Sequence, residues 1–251
     1  MHRYGKSMLG AALAAALLLT LALAAAAAGP DYLAQADALF AQRADLAKAR
    51  QAADLYQKAL QADPKNEQAA YKLARTYYWI GKHQKTDEEK VAVFEKGIAA
   101  AKKALAINPD SLGGHFWLGV CYGVYGSAKG VMKSLSLVDP IKQEMAAVIA
   151  KDPSYDSGGA YRVLGRLYFK LPGLFGGSNS KAVENLQTAL KYGPHRWLNH
   201  IYLAEVYMDE GEKEKARALL KQVLAGPAEP GLEPEWAEEK EQARKLLQEL
   251  D

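Results

Sequence analysis

A short pattern of leucine, a small residue, two variable positions and tyrosine recurs along the chain. It restricts the fold more than any other feature of the sequence. The leucine, its small neighbour and the tyrosine share one face of an α-helix, because such a helix turns once in about 3.6 residues. The copies are Leu73-Ala74-x2-Tyr77, Leu118-Gly119-x2-Tyr122, Leu164-Gly165-x2-Tyr168 and Leu203-Ala204-x2-Tyr207. Each copy predicts a helix whose small residue allows a second helix to approach closely.

A second amphipathic stretch follows each copy and ends near a proline. In the clearest case Ala182, Leu186 and Ala189 form an apolar stripe that stops before Pro194. Proline cannot continue a helix, since it lacks a backbone N–H and its ring clashes with the preceding turn. The closing prolines are Pro64, Pro109, Pro153, Pro194 and Pro227. The chain is therefore predicted to be a series of helix pairs.

The stretch from Tyr161 to Pro194 resembles the tetratricopeptide repeat, with tyrosine in place of the usual tryptophan. The resemblance implies an all-α tetratricopeptide-repeat superhelix of about five helix pairs. An amphipathic helix from Trp236 to Leu250 is expected to cap its C-terminal end. The alternative is an irregular all-helical protein in which the similarity is accidental.

Three repeats are longer than the usual length of about 34 residues. The polar segment from Gly81 to Lys90 predicts an exposed loop or an extension of a helix. The glycine-punctuated, apolar segment from Gly123 to Val138 is expected to pack against the rest of the protein. The segment from Leu171 to Ser178 contains three glycines and a proline, which disfavour regular structure.

Leu174 and Phe175 are apolar residues at the tip of this last segment. One interpretation is that they fold back over the insertion around Val131 to Val138. The other is that they form a docking tip for a partner or a lid over one mouth of the superhelix.

The first 28 residues have the three-part pattern of a secretory signal peptide. Arg3 and Lys6 precede an apolar run, and Ala24 to Ala28 supply small residues for cleavage. We therefore expect a signal peptide over residues 1–28, a repeat domain over residues 31–251, and a periplasmic or secreted mature protein. The alternative is an uncleaved anchor, because the run from Leu9 to Ala28 is just long enough to span a bilayer.

The net charge is only +3, and this balance offers no strong field for nucleic acid or an anionic membrane surface. Cys121 is the only cysteine, so no internal disulfide can form. It lies between Val120 and Tyr122, where a buried and inert thiol is expected.

The first helices of a tetratricopeptide superhelix line its concave surface. Counting opposite the leucine–tyrosine stripe places aromatic and arginine side chains on that surface, together with one glutamate. The predicted ligand- or partner-binding residues are Tyr71, Arg75, Tyr78, Phe116, Arg162, Arg166, Phe169 and Glu205. Arginine pairs bidentately with carboxylates, so the surface suits a small organic acid or an acidic protein partner. The alternative is that the arginines pair internally, for example Arg166 with Glu205.

No motif for catalysis or metal binding stands out, and no cofactor is expected. His195 and His200 do not share a helix face, which argues against zinc. Ser178-x2-Lys181 lacks the companion motifs of penicillin-binding proteins, and Gly126 to Gly130 lacks the ending of a phosphate loop. These residues predict a protein that is not an enzyme.

A longer run resembles the TatT family, the tetratricopeptide component associated with tripartite ATP-independent periplasmic (TRAP) transporters. It comprises Tyr155-Asp156-x-Gly158-Gly159-Ala160-Tyr161-Arg162, then Leu171-Pro172 and Gly176-Gly177-Ser178. The resemblance implies a non-enzymatic periplasmic adaptor that binds a substrate-binding protein and a small acidic ligand. The sequence departs from lipoprotein relatives, because it has no lipid-acceptor cysteine. A general envelope scaffold for protein–protein interaction is the alternative function, and either function allows a homo-oligomer.

Overall fold

The computed structural model describes residues 31–250, and every described element is helical. The predicted signal peptide, over residues 1–28, and its predicted cleavage site lie outside the described residues. The α-helices are α1 (Tyr32–Phe40), α2 (Leu46–Ala62), α3 (Glu67–Lys82), α4 (Asp87–Ile107), α5 (Leu112–Lys129), α6 (Val131–Ser136), α7 (Val138–Lys151), α8 (Tyr155–Lys170), α9 (Asn179–Tyr192), α10 (Trp197–Asp209), α11 (Lys213–Ala225) and α12 (Glu233–Leu250).

The helices pack in five successive pairs, and α12 covers the last pair. The pairs are α1 with α2, α3 with α4, α5 with α7, α8 with α9, and α10 with α11. The short helix α6 lies between the members of the third pair. The prediction of an all-α superhelix with about five helix pairs and a C-terminal capping helix is confirmed. The cap begins at Glu233, three residues before the predicted start at Trp236.

Local signals set the helix boundaries. Thr86 forms a capping box with Glu89 at the start of α4: the Thr86 hydroxyl accepts from the Glu89 N–H, and the Glu89 carboxylate accepts from the Thr86 N–H. Asn66 and Ser111 cap α3 and α5 in the same side-chain-to-backbone manner. Helices α2, α4, α7, α9 and α11 each end just before one of the predicted closing prolines.

Small residues allow the paired helices to approach closely. A Cβ atom at Gly165 of α8 would lie 2.5 Å from Leu186 Cγ and 3.2 Å from the Ala182 carbonyl oxygen of α9. Ala182, Leu186 and Ala189 are fully buried, as the predicted stripe requires. The small position of the repeat is therefore a real contact between helices.

Of the first two insertions, one agrees with its expectation and the other differs in part. The second repeat's added residues lengthen α4 to 21 residues, which is the predicted helix extension. The apolar residues that open α6 do not pack: Val131 is 68% exposed and Met132 is 81% exposed. Gly130, at φ 106°, separates α5 from α6, and Leu137 begins the buried part of the insertion.

The segment after α8 contains a short 3₁₀ turn, Gly173–Phe175, where no regular structure was expected. Its base is held by the Ser178 N–H donating to the Tyr168 carbonyl and the Gly177 N–H donating to the Pro172 carbonyl. Its tip projects into solvent, since Leu174 is 95% exposed. The interpretation that Leu174 and Phe175 fold back over the neighbouring insertion is wrong.

Among residues 31–250, no helix combines the length and apolar character needed to cross a membrane.

Candidate ligand channel

A cavity of about 1170 Å³ runs along the concave side of the superhelix. First helices of all five pairs contribute to its wall, and α6, α7 and α12 complete it. This volume slightly exceeds the range of roughly 300–1,000 Å³ that is typical of small-molecule sites. We call this cavity the channel.

Aromatic rings form much of the channel wall. Tyr78 of α3 packs on Trp117 of α5, with ring centroids 5.5 Å apart. The Phe116 ring packs edge to face on the Tyr155 ring of α8, with ring centroids 5.5 Å apart. Burial raises the pKa values of Tyr78 and Tyr155 well above the usual tyrosine range, so both phenols stay neutral. The wall therefore offers large apolar surfaces with hydroxyl groups between them.

Most cationic groups in the channel have a carboxylate partner from the same chain. The pairs are Arg43–Glu235, Lys72–Asp37, Lys82–Glu238, Arg162–Asp156, Arg166–Glu205 and Arg196–Glu239. Lys170 lies 3.8 Å from Glu205, and it shares that single carboxylate with Arg166. Burial, and then the neighbouring Arg166, lower the pKa of Lys170.

Arg75 is the guanidinium of the channel that has no carboxylate partner within the described part of the chain. It lies over the Phe40 ring, with Cζ 4.1 Å from the centroid, and its buried Nε has no hydrogen-bond acceptor. Both carboxylate oxygens of Asp37 already accept hydrogen bonds from other residues. Tyr56 donates to Oδ1 at 2.5 Å, and Lys72 donates to Oδ2 at 2.6 Å. A positive charge is thus left unneutralised on the wall.

Arg162 is held in a buried network. It pairs with Asp156, and its Nη1 donates to Asn199 Oδ1 at 3.1 Å. Asn199 in turn donates to the carbonyls of Ser157 and Gly193 at 3.2 Å. Asp156 and Ser157 have positive φ angles of 51° and 56°, which non-glycine residues rarely adopt. Arg162 and Asn199 therefore hold a strained turn at the start of α8.

The structure brings most of the predicted binding residues together. Tyr71, Arg75, Tyr78, Phe116, Arg162 and Arg166 all line the channel. The internal pairing of Arg166 with Glu205, offered as the alternative at the sequence level, is present. Phe169 and Glu205 are absent from the channel lining, although the sequence places them on the concave surface.

In the fifth repeat the residues that face the channel are Leu198 and Tyr202, not the predicted Glu205. Ile201, four residues before Glu205, is fully buried in the core between α10, α11 and α12. Helix α10 is covered by α12 as well as by its own partner helix, so more of its surface is core. Counting from the leucine–tyrosine stripe could not include that extra layer.

Sequence reasoning also missed the contribution of α12. Glu235, Glu238, Glu239 and Gln242 line the channel. Their i, i+3, i+4, i+7 spacing marks one helix face, and this pattern was available in the sequence.

Nothing in the described residues indicates metal chemistry or a reactive thiol. Residues 31–250 contain no group of three or more histidine, cysteine or acidic side chains that could hold a metal ion. Cys121 is buried, and burial raises the pKa of its thiol to about 12.

A family model described as "RMD1-3: Regulator of microtubule dynamics protein 1-3" matches residues 32–175 and 172–251. No curated protein matches the chain.

The solved structures that share the fold include two tetratricopeptide-like proteins with TM-scores above 0.5. One is TTC0263, a thermophilic tetratricopeptide-repeat protein of Thermus thermophilus, with 21% identity, a TM-score of 0.64, and coverage of 85% of this chain and 97% of that one. The other is PilW, a widely conserved type IV pilus biogenesis factor, with 21% identity, a TM-score of 0.56, and coverage of 88% and 91%. At this identity the similarity shows the tetratricopeptide-repeat fold alone.

Proposed function

Because the chain belongs to the regulator of microtubule dynamics protein 1-3 family and has a tetratricopeptide-repeat fold, we propose that it is a non-enzymatic binding protein whose channel holds a small organic acid. The observation that carries the proposal is that Arg75, in the aromatic channel, has no carboxylate partner within residues 31–250. A carboxylate could pair with the half-buried guanidinium of Arg75, and the rings would cover the apolar part of the acid.

The internal ion pairs divide the arginines into two groups. Arg162 and Arg166 already hold carboxylates, so removing either side chain should disturb the channel wall before it removes a ligand contact. Arg75 has no carboxylate partner in the described part of the chain that its removal would leave unpaired. Its removal should therefore affect ligand binding more than folding.

The test is calorimetric titration of the full-length protein with decanoate, an aliphatic acid probe, and with decanol, its neutral counterpart. Arg75→Gln should weaken decanoate binding by about 10-fold or more, as expected for loss of a hydrogen bond to a charged group at about 1.5–3 kcal/mol. Decanol binding should hardly change. Lys170→Gln is the control, because Lys170 is 58% exposed and already lies beside Glu205.

Three results would argue against the proposal: no binding of decanoate by the wild type, equal affinities for decanoate and decanol, or undiminished binding by Arg75→Gln. An aromatic acid such as 1-naphthoate tests whether the channel prefers planar ligands.

The cellular setting proposed here is the periplasm or the exterior, reached through the signal peptide. The resemblance to the TatT family supports a finer proposal: the acid is the cargo of a TRAP-type uptake system, and the protein partner is its substrate-binding component. Calorimetry between the two purified proteins, with and without the acid, tests this role. An absence of binding under both conditions would leave the acid-binding proposal standing and remove the transport role.

A second candidate function is that of an envelope scaffold that binds only proteins. The supporting observation is the exposure of Met132 on α6 and of Leu174 on the loop after α8, two large apolar side chains near elements of the channel wall. Affinity purification with the wild type and with Met132→Ser/Leu174→Ser tests this function. A protein that the variant loses, and that rebinds the wild type when purified, would support the scaffold.

A further inference from the structure

Two segments of the chain project apolar side chains into solvent. In the third repeat, Val131 and Met132 at the start of α6 are exposed. In the fourth repeat, Leu174 and Phe175 on the loop after α8 are exposed. Exposed apolar side chains that cluster on one part of a surface mark a site of interaction. The two segments, called the apolar tips below, are residues 129–136 and 170–181.

The apolar tips lie at the same edge of the superhelix. Each tip connects the first helix of a pair to the second, α5 to α7 in one case and α8 to α9 in the other. Paired helices run antiparallel, so connections of this kind lie at one edge, and the connections between pairs lie at the opposite edge. Val131 of the first tip and Leu171 and Pro172 of the second also line the channel. The tips therefore project from adjacent repeats beside the channel.

The only charged side chains of the apolar tips are those of lysines. The tips contain no acidic residue and four lysines, which are Lys129, Lys133, Lys170 and Lys181. The equivalent connections of the second and fifth repeats differ, because residues 82–90 contain three acidic residues and residues 209–215 contain four. Although the net charge of the whole chain is only +3, positive charge is concentrated around the exposed apolar residues.

Three of these lysines are not neutralised within the described part of the chain. Lys133 Nζ lies 5.8 Å from the centroid of the Tyr125 ring, and Lys181 Nζ lies 5.5 Å from that of the Tyr168 ring. Neither of them, nor Lys129, pairs with a carboxylate among residues 31–250. The tips thus present positive charge to solvent, unlike the arginines of the channel that form ion pairs.

Exposed apolar side chains surrounded by unpaired lysines suit the surface of an anionic bilayer. The apolar groups enter the boundary between the headgroups and the acyl chains, while the lysines extend toward the phosphates above it. The apolar residues of the tips project outward and do not line a groove, as the 95% exposure of Leu174 shows. A fluid lipid surface accepts such side chains without a shaped pocket.

We propose that the apolar tips dock the protein on an anionic lipid bilayer. Val131, Met132, Leu174 and Phe175 insert below the headgroups, and the lysines of the tips contact the lipid phosphates. Docking places this edge of the superhelix and the adjoining part of the channel wall against the bilayer. The opposite edge, which includes the turn at Lys65, faces away from it. The proposal does not depend on an acid being bound at Arg75.

The experiment uses a dye that reports on one tip alone. An environment-sensitive fluorophore is attached to Gly173→Cys in the full-length protein, because an added Cβ atom at Gly173 has no other atom within 4 Å and Cys121 is buried. Vesicles of equal parts phosphatidylcholine and phosphatidylglycerol should shift the emission to the blue. Phosphatidylcholine alone should give a much smaller shift, and salt should reduce the response. The same dye at Lys65→Cys is the control and should not respond.

This local signal measures insertion of the tip, so binding of the apolar N-terminal segment to vesicles does not by itself produce it. With the dye at Gly173→Cys, Lys129→Gln/Lys133→Gln should reduce the response several-fold, because each lysine near an anionic surface contributes to binding. Lys58→Gln/Lys65→Gln lowers the net charge equally at exposed positions away from the tips and is the matched control. Its response should equal that of the wild type.

The apolar contribution is tested by Val131→Ser/Met132→Ser, which should also reduce the response of the dye at Gly173→Cys several-fold. Both side chains are exposed, so the melting temperature should stay close to that of the wild type. Four results would overturn the proposal: no response to anionic vesicles, equal responses at Gly173 and Lys65, responses that neither variant reduces, or a shift that appears on self-association without vesicles. A purified protein that shifts the emission when vesicles do not would show that the tips bind a protein instead.

Discussion

The strongest test of the repeat packing compares two helical glycines. Gly165 of α8 lies against α9, where an added Cβ atom would be 2.5 Å from Leu186 Cγ and 3.0 Å from Leu186 Cδ2. Leu186 is fully buried and cannot move without disturbing its neighbours. Gly123 of α5 is the matched control, since the nearest atom to its added Cβ is Ile141 Cδ1 at 4.0 Å. We therefore compare Gly165→Ala with Gly123→Ala.

Both substitutions should stabilise the folded protein by about 1 kcal/mol, because alanine has a higher helix propensity than glycine. Only Gly165→Ala adds overpacking, which costs about 1–3 kcal/mol. We expect Gly123→Ala to raise the free energy of unfolding above that of the wild type. The free energy of unfolding of Gly165→Ala should be about 1–3 kcal/mol lower than that of Gly123→Ala. For a chain of this size the two melting temperatures should then differ by about 2–12 °C.

The measurements are thermal melts followed by circular dichroism and urea unfolding of the two variants and the wild type. Equal shifts for the two variants would refute the reasoning, because they would mean that Gly165 is not at a contact between helices. The prediction for Gly165→Ala would also be wrong if that variant melted above Gly123→Ala.

Three further predictions concern single features of the chain. With a pKa of about 12, Cys121 should contain roughly one part in ten thousand thiolate at pH 8, so thiol reagents should label it only after denaturation. Labelling of the native protein would contradict this. Leu174→Ser/Phe175→Ser should leave the melting temperature nearly unchanged, because Leu174 is 95% exposed and Phe175 is 53% exposed. The exported protein should begin just after residues 26–28 in N-terminal sequencing, and a chain that retains Met1 would indicate an anchor.

The helix pairs could be predicted because their signals are local. A stripe such as Ala182, Leu186 and Ala189 depends only on the period of one helix, and a closing proline such as Pro194 acts on its own turn. The exposure of α6 could not be predicted in this way. The sequence shows Val131 and Met132 as apolar residues near glycines, but only the tertiary structure shows that both side chains stay exposed.

The candidate site also combines features that single helices predict with features that only the tertiary structure shows. Tyr71, Arg75 and Tyr78 could be placed on the concave surface by spacing alone, because they lie on one face of α3. Spacing could not show which arginines were already neutralised. The partner of Arg162 is Asp156, which lies in a turn with a left-handed conformation. The partner of Arg166 is Glu205 of α10, in the next helix pair.

The sequence by itself determined the repeat, the number of helix pairs and the aromatic, arginine-rich character of the inner surface. Each of these properties follows from the periodicity of individual helices. Only the tertiary structure decided that Glu235 and Glu238 of α12 pair with Arg43 and Lys82, and that Arg75 has no carboxylate partner among residues 31–250. Ion pairing between distant residues depends on how the whole superhelix curves, and that curvature results from the packing of all five pairs together.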